Sequence, residues 1–299
     1  MPSQGRPRPA VIDSAGRAVL SKTGAVMPMR SSARIHATAI VSAEADLADD
    51  VEVGPFVVIE GPVRLGPGCV VRPYVHLIGP LTMGRGNMIY SGAVLGERPQ
   101  HTRYNNEPTW VEIGDDNIFR EHVTVHRGTT QSWKTVIGSR NFLMAGAHVA
   151  HDCRVGNGCI LANGALLGGH CIIDDGVFLS GNSAAHQFVH IGRLALLSGA
   201  SGTTKDMPPF IIQQNINTVV GINVVGMRRA GMSSAEIDAV RRAYHILFRD
   251  GLALPNALAQ LENELGSVAA VRELIDFIRA SKRGINAVRD RGHRSSLAA

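Results

Sequence analysis

Histidine is the residue type that could carry chemistry in this chain. Twelve histidines occur among the 299 residues, against two tryptophans and four tyrosines. The densest run is AHVAHDC, in which His148 and His151 lie three residues apart and Asp152 directly follows the second. An imidazole can take up a proton near neutral pH, and an adjacent carboxylate can orient it. The run therefore fits a general base, His151, oriented by Asp152, and it also fits a metal site, since imidazole is the commonest ligand side chain.

A six-residue period determines where these histidines lie. From Ile35 to Leu197, 24 of the 28 positions reached in steps of six are Val, Ile, Leu, Met or Phe. This period fits neither an amphipathic helix nor a simple alternating strand, and it is typical of a solenoid of stacked coils. We expect each hexapeptide to form a short strand and a tight turn, with left-handed backbone at Asn87, Asn117 and Asn141.

All four cysteines share one inward slot of this repeat, so we expect buried core thiols rather than ligands or nucleophiles. They are Cys69, Cys153, Cys159 and Cys171.

The period resembles the hexapeptide repeat of left-handed parallel β-helices, in which three hexapeptides make one triangular coil. Residues 18 apart then lie one above the other, at the usual strand spacing of about 4.8 Å. Gly169 follows His151 by 18 residues, and His170 follows it by 19. Several imidazoles should therefore meet at one corner of adjacent coils.

The remaining sequence predicts a second, helical unit and a tail. The β-helix is expected over residues 35–215, with projecting loops at 97–112 and 127–136. A small helical domain with a basic tail should occupy 216–299, where Ser233 and Glu236 match a capping box and Pro255 could start a further helix. Residues 1–34 hold six basic residues and one acidic residue, which is the whole net charge of +5, and are expected to form a disordered tail.

Composition excludes several classes of protein. Because the excess positive charge lies in this tail, the high pI gives no reason to expect nucleic-acid binding. No apolar run is long enough for a membrane span. The four cysteines form no C-x-x-C pair and no signal peptide is evident, so we expect a reduced, cytoplasmic protein.

Four stretches carry a more specific resemblance. Residues 147–170, with HRGT at 126–129, AHQF at 185–188 and the pair Pro208-Pro209, are similar to bacterial UDP-N-acetylglucosamine O-acyltransferases. The likeness runs from about Ile35 to Arg283. It implies a homotrimer that needs no cofactor and no metal. It also implies transfer of an (R)-3-hydroxyacyl group from acyl carrier protein to the sugar 3-hydroxyl, the first step of lipid A synthesis.

The resemblance implies a role for each matched residue. His151 would be the general base, Asp152 would orient it, and the Gly169 N–H would stabilise the oxyanion. Gly199 matches the position that measures acyl length, and the missing side chain implies a long chain of about fourteen carbons. A cationic patch for the acidic carrier protein is expected at Arg228, Arg241, Arg242 and Arg249. Substrate-binding positions are His101, Arg103, His126, His148, His170, His186, Gln187, Asn223 and Arg229.

Three departures from the family pattern leave the acceptor open. His101, Asn217 and Val225 stand where the family has an Asp, a His and a Glu. Acyl transfer to a 3-amino sugar, which would give an amide, is therefore an alternative. Two further classes also remain at this point. One is a metalloenzyme like the gamma-class carbonic anhydrases, which bind zinc through histidines, and the other is a non-catalytic β-helix scaffold.

Overall fold

The computed structural model describes residues 33–288, and within them the chain winds through three parallel sheets. The basic tail predicted for 1–34 lies outside this part except for its last two residues, as does the end of the chain after Val288. Up to Thr203, successive strands go to different sheets, and each pairs in parallel with the strand three places along; after it, residues 211–222 form an antiparallel hairpin. Arg34 pairs with Glu52, a register of 18 residues. The left-handed β-helix predicted from the hexapeptide repeat is confirmed.

Strands are numbered in chain order, and the three sheets are called sheets 1, 2 and 3. Sheet 1 contains β1 (Arg34–Ile35), β4 (Glu52–Val53), β7 (Val70–Val71), β10 (Met88–Ile89), β13 (Ile118–Phe119), β16 (Phe142–Leu143), β19 (Ile160–Leu161), β22 (Phe178–Leu179), β25 (Leu196–Leu197), β27 (Ile211–Gln214), β28 (Thr218–Ile222) and β29 (Ala287–Val288).

Sheet 2 contains β2 (Ile40–Val41), β5 (Val58–Glu60), β8 (His76–Ile78), β11 (Val94–Glu97), β14 (Thr124–His126), β17 (His148–Val149), β20 (Leu166–Leu167), β23 (Ala184–Ala185) and β26 (Gly202–Thr203). Sheet 3 contains β3 (Asp46–Leu47), β6 (Val63–Leu65), β9 (Leu81–Met83), β12 (Trp110–Ile113), β15 (Lys134–Ile137), β18 (Arg154–Val155), β21 (Ile172–Ile173) and β24 (His190–Ile191).

The six-residue period places one large apolar side chain of each hexapeptide inside the prism. Leu77, Leu95 and Phe119 are among the fully buried positions of this frame. The four cysteines are buried free thiols in the same core, as expected from their shared slot. Each sheet thus contributes one column of buried apolar side chains. Their burial is the main source of stability, because each coil makes few contacts within itself.

The asparagines of the repeat do not adopt the left-handed backbone that we expected. Asn87, Asn117 and Asn141 are buried, and the left-handed residues are their neighbours, such as Asp116 and Arg140. The prediction was wrong because the three asparagines are buried and form a ladder of hydrogen bonds from one coil to the next. The Asn117 backbone N–H and side-chain amide both donate to Asn87 Oδ1, at 3.0 and 2.9 Å. The Asn141 N–H donates to Asn117 Oδ1 at 2.9 Å. An inward amide thus satisfies turn N–H groups that the strands leave unpaired.

Glycines after the frame residues allow close approach between coils. A Cβ at Gly66 would lie 2.7 Å from the carbonyl carbon of Gly84, and one at Gly138 would lie 2.5 Å from the Gly156 oxygen. Neither glycine has a positive φ. Space between stacked turns, rather than backbone freedom, therefore requires glycine at these positions.

The C-terminal helices are attached to the open end of the prism by the antiparallel hairpin of β27 and β28. They are α1 (Val224–Arg229), α2 (Ser234–Phe248), α3 (Leu254–Leu265) and α4 (Ala269–Ala280). The Ser233–Glu236 capping box is present at the start of α2, and Pro255 lies in the first turn of α3. An ion pair of 2.7 Å between Arg193 and Glu273 joins the prism to α4. No helix of residues 33–288 has the length and hydropathy that a membrane crossing requires.

Candidate active site

The predicted catalytic residues lie at the corner between sheets 2 and 3. His151 and Asp152 form the turn after β17, and Gly169 and His170 form the turn after β20 on the next coil. The His170 backbone N–H donates to the His151 carbonyl at 3.0 Å, so the two turns are stacked directly. The coil period therefore brings together residues that are 18 and 19 apart in sequence.

Asp152 is a fully buried carboxylate with four hydrogen-bond donors. Its Oδ1 accepts from the Thr129 backbone N–H at 2.8 Å and from Ser132 Oγ at 2.5 Å. Its Oδ2 accepts from Thr129 Oγ1 at 2.9 Å and pairs with His151 Nδ1 at 2.7 Å. Burial alone would raise the pKa of Asp152, but the bonds from His151, Ser132 and Thr129 outweigh it and hold this pKa well below its usual range. The carboxylate therefore stays ionised beside the imidazole.

The His151 ring faces a turn that lacks a side chain. A Cβ built on Gly169 would lie 2.6 Å from Cε1 and 2.8 Å from Nε2 of His151. With Nδ1 held by Asp152, Nε2 is the nitrogen left to exchange a proton. Within residues 33–288, no oxygen accepts a hydrogen bond from the Gly169 N–H. A basic nitrogen and an uncommitted N–H donor thus lie at the same point of the surface.

Four further histidines surround this pair. The ring centroids of His101 and His170 lie 5.3 and 5.2 Å from that of His151, both edge-on to it. His170 Nε2 is 3.5 Å from Asp152 Oδ2. His126 and His148 form a second edge-on pair at 4.9 Å. His101, His126, His148, His151 and His170 thus form one cluster of imidazoles, and His186, which the coil interval also placed at this corner, lies outside it.

Burial keeps several of these imidazoles uncharged. Removal from water lowers the pKa of His126 to about 4, and the nearby His148 adds to the effect. Burial, followed by the proximity of His151, also lowers the pKa of His148. The pKa of His170 is lowered by burial, although Asp152 acts in the opposite direction. Neutral rings can donate or accept hydrogen bonds without adding positive charge around His151.

The first insertion covers one side of the site. His101 and Arg103 lie in it, and the Arg103 N–H donates to His101 Nδ1 at 3.3 Å. With Tyr104, Glu107 and residues 129–131 they line a cleft of about 260 Å³. The two insertions at 97–112 and 127–136 therefore meet above the corner that carries His151.

Other predicted substrate-binding residues lie away from the cluster. His186 and Gln187 are exposed on the second coil above His151, and His186 Nδ1 is 3.5 Å from Arg283. The Asn223 side chain is committed to structure, because it caps α1 and donates to the Leu194 carbonyl at 2.8 Å. Arg229 is exposed at the end of α1. Gly199 is exposed in the turn after β25, at the corner between sheets 1 and 2 and not at the corner that carries His151.

The expected cationic patch is only partly free of acidic partners. Arg241 pairs with Asp238, and Arg242 pairs with Glu264. Arg249 donates to the Tyr244 hydroxyl at 3.1 Å. Arg228 is exposed beside Arg229, and among residues 33–288 it has no carboxylate partner. In the part of the chain that the structure describes, the positive charge of the patch without a carboxylate partner is therefore at Arg228, beside Arg229 at the end of α1, and at Arg249.

A metal ion would find three groups here. His151, Asp152 and His170 can bring ligand atoms within 4.8 Å of one another. The Asp152 oxygens already accept four hydrogen bonds, and His151 Nδ1 is one of the donors. The donor set suits an oriented base better than a metal ligand, since coordination would displace those bonds.

Sequence reasoning missed the residues that hold Asp152 and His170. Thr129 and Ser132 belong to the second insertion, and Phe188 stacks on His170 at 4.4 Å with its ring almost parallel. The HRGT and AHQF stretches contain Thr129 and Phe188, so the motifs carried a signal without showing its cause.

Family models match two parts of the chain, and relatives match most of it. Residues 206–286 match the second domain of the UDP-N-acetylglucosamine O-acyltransferases, and residues 134–169 match the bacterial transferase hexapeptide repeat. A curated acyl-[acyl-carrier-protein]–UDP-N-acetylglucosamine O-acyltransferase of Halorhodospira halophila is 44% identical over 84% of this chain and 98% of its own. The chain belongs to the UDP-N-acetylglucosamine O-acyltransferase family.

Two further comparisons agree with this assignment. The enzyme of the same description from Anaeromyxobacter sp. is 48% identical over 67% of this chain and 79% of its own. The solved UDP-N-acetylglucosamine acyltransferase of Francisella novicida superposes with a TM-score of 0.83 at 33% identity, covering 86% of this chain and 95% of that one. Membership in the O-acyltransferase family thus favours an enzyme over a carbonic-anhydrase-like protein or a scaffold.

Proposed function

We propose that this acyltransferase moves an (R)-3-hydroxyacyl group from acyl carrier protein to the 3-hydroxyl of UDP-N-acetylglucosamine, the first step of lipid A synthesis. The observation that carries this proposal is the His151 ring, held by Asp152 at 2.7 Å and facing the side-chain-free turn at Gly169. A base and an oxyanion donor at one point are what acyl transfer to a hydroxyl needs.

Proton transfer through His151 balances the reaction. Nε2 takes the proton of the sugar O3 as that oxygen attacks the thioester carbonyl. The tetrahedral intermediate then collapses, the carbon–sulfur bond breaks, and the imidazolium returns the proton to the leaving thiolate. The products are an ester and the free carrier-protein thiol. Asp152 stabilises the imidazolium that exists between these steps, because it is a buried anion already bonded to Nδ1.

Gly169 supplies the oxyanion donor in this scheme. Its N–H has no acceptor among residues 33–288, and any larger residue at this turn would press a Cβ into the imidazole of the base. A backbone donor is fixed before the reaction begins, so stabilising the new negative charge requires no rearrangement.

Gly199 is proposed as the position that sets acyl length. A Cβ there would meet nothing nearer than the Gly181 oxygen at 3.5 Å, and its backbone is not left-handed. Neither strain nor crowding within the chain therefore requires glycine. Space for an acyl chain of about fourteen carbons is a sufficient reason for glycine at this position.

A 3-amino sugar is the second candidate acceptor. His101 lies against the base at 5.3 Å, on the first insertion, and its imidazole can hydrogen-bond to a hydroxyl or to an amine. Asn217 and Val225 also depart from the family pattern, and they likewise leave open whether the acceptor is a hydroxyl or an amino sugar. Both sugars therefore belong in the assay.

A homotrimer in the cytoplasm is part of the proposal. Sheet 1 presents an outward stripe of apolar side chains, which would be covered by another copy of the chain. The stripe comprises Val70, Met88, Ile118, Phe142, Ile160, Phe178, Leu196 and Ile212. Light scattering should give the mass of three chains, and a monomer would contradict this part. Four buried free thiols fit a reducing compartment.

Acyl carrier protein is the proposed partner, with its docking centred on Arg228 and Arg229. Reversal of charge at Arg228 should raise KM for the carrier protein more than KM for the sugar. Arg241 and Arg242 should contribute less, because each already has a carboxylate partner.

Turnover by purified protein tests the reaction. Hydroxyacyl carrier proteins of about 10 to 16 carbons are offered with each sugar, and products are identified by mass spectrometry. His151→Ala should abolish turnover. His76→Ala is the matched control, because His76 also pairs with a carboxylate, Glu60 at 2.9 Å, but lies outside the cluster. Absence of product with both sugars would refute the function, and product with the amine alone would change the acceptor.

A further inference from the structure

The turn position of Asp152 recurs on the next two coils with unusual residues. Asp152, His170 and Phe188 follow one another at intervals of 18, and their φ angles are 61°, 62° and 65°. Asp tolerates the left-handed region, but a bulky aromatic residue rarely adopts it. The Phe188 side chain is also 49% exposed, so burial in the core does not compensate the strain. Left-handed residues occur at this turn position along the whole β-helix, so it is the exposed aromatic ring at the corner that carries His151, rather than the backbone angle, that distinguishes Phe188.

The Phe188 ring covers one face of His170. The two centroids are 4.4 Å apart and the planes differ by 5°. The Phe188 backbone is fixed in this place by its N–H, which donates to the Gly169 carbonyl at 2.9 Å. His170 in turn directs Nε2 toward Asp152 and stands edge-on to His151. The orientation of His170 is therefore determined by Phe188 on one side and by the Asp152–His151 pair on the other.

We infer that Phe188 is a positioning residue, which holds the His170 imidazole flat so that Asp152 remains available to His151. The inference rests on the proposed function, since His151 is the base only if acyl transfer is the reaction. The ionisable groups that face His170 are Asp152, His151 and His101. A His170 imidazolium would compete with His151 for the Asp152 carboxylate. By excluding water from one face, Phe188 supports the low pKa of His170 and so keeps it neutral.

The fold supplies a matched control at another corner. Phe56 and Tyr74 are also 18 apart, stacked at 5.2 Å with planes 10° apart, left-handed and exposed. No histidine of the cluster contacts them. Tyr74→Leu therefore removes an equivalent aromatic stack without touching the site, and it measures what the loss of such a stack does to the fold alone.

Three variants of the full-length protein test the inference: Phe188→Leu, Phe188→Tyr and Tyr74→Leu. Phe188→Leu should lower kcat/KM about 3- to 10-fold, the range expected for loss of one aromatic stack. The acid limb of its pH profile should move to higher pH, because uncovered His170 takes up a proton more easily. Phe188→Tyr should restore both values, and Tyr74→Leu should change neither.

The His170 titration is followed in parallel by NMR of histidine-labelled protein, where Phe188→Leu should raise its pKa. An unshifted profile and an unshifted His170 titration in Phe188→Leu would overturn the inference. So would an equal shift in Tyr74→Leu. If the wild-type protein transfers no acyl group, the proposed function fails, and the NMR titration alone then decides whether Phe188 controls His170.

Discussion

Removing the side-chain donors of the second insertion should weaken catalysis without damaging the fold. Thr129→Val deletes the hydroxyl that donates to Asp152 Oδ2 at 2.9 Å and keeps the shape of the side chain. Ser132→Ala deletes the hydroxyl that donates to Oδ1 at 2.5 Å. The Thr129 backbone N–H, at 2.8 Å, remains in both variants. Neither change touches His151 directly.

The size of the effect follows from the burial of the carboxylate. The Asp152 side chain is 0% exposed, so water cannot replace a lost donor. A hydrogen bond to a charged group contributes about 1.5–3 kcal/mol. Part of this lost free energy raises the barrier to the reaction, because Asp152 stabilises the His151 imidazolium in the transition state. We expect kcat to fall about 10- to 100-fold in each variant, which corresponds to about 1.4–2.7 kcal/mol. The pKa of Asp152 should rise in each variant, because each loses one of the bonds that depress it.

Single-turnover kinetics with saturating acyl carrier protein and nucleotide sugar measure this effect on chemistry. Thr135→Val is the matched control, since the Thr135 hydroxyl is buried on β15 and has no hydrogen-bond partner in residues 33–288. That variant should keep full activity and gain stability of about 1 kcal/mol. If kcat in Thr129→Val and Ser132→Ala stays within twofold of wild type, the insertion does not support the base.

Three further changes have defined outcomes. Gly169→Ala should cut kcat at least about 100-fold, because its Cβ would lie 2.6–2.8 Å from the His151 ring and displace the base; unchanged turnover would show that the base does not need a side-chain-free turn beside it. Burial lowers the pKa of His126 from 6.5 to about 4, so the unfolded chain takes up a proton first and stability falls as pH drops through that window. His126→Gln should remove up to about 3 kcal/mol of this loss, measured by urea unfolding between those pH values, and an identical pH dependence would contradict it. Gly199→Met should shorten the preferred acyl chain by about four carbons, because the methionine side chain is about as long as four carbons of a hydrocarbon chain. Competition between hydroxyacyl carrier proteins of different lengths measures this preference.

The repeat made the fold predictable because it is a local rule applied many times. One large and one small inward residue per hexapeptide determine the strand, the turn and the stacking interval together. The asparagine ladder was not predictable in the same way. Asn87 and Asn117 are turn residues by propensity, but their amides lie inside the prism, where the next coil offers unpaired N–H groups. Whether an asparagine adopts a turn conformation or bonds to the next coil depends on contacts between coils, which the sequence does not show.

The candidate site was predictable where it follows the coil period and unpredictable where it departs from it. The stacking of Gly169 and His170 on the turn that carries His151 follows from intervals of 18 and 19. Asn223 was expected at the substrate, but its amide caps α1. A capping role and a binding role require the same residue type at a helix start, so the sequence could not separate them.

The insertions explain how a regular solenoid can support a strong base. Within the repeat, each turn contacts the turns above and below, and its outer side is open to water. A carboxylate on such a surface would be solvated and would interact weakly with its histidine. The second insertion folds back over the corner and gives Asp152 three donors from Thr129 and Ser132, which exclude water and keep the carboxylate ionised. Interruption of the six-residue period at 127–136 is therefore what converts a stack of imidazoles into an oriented His151–Asp152 pair.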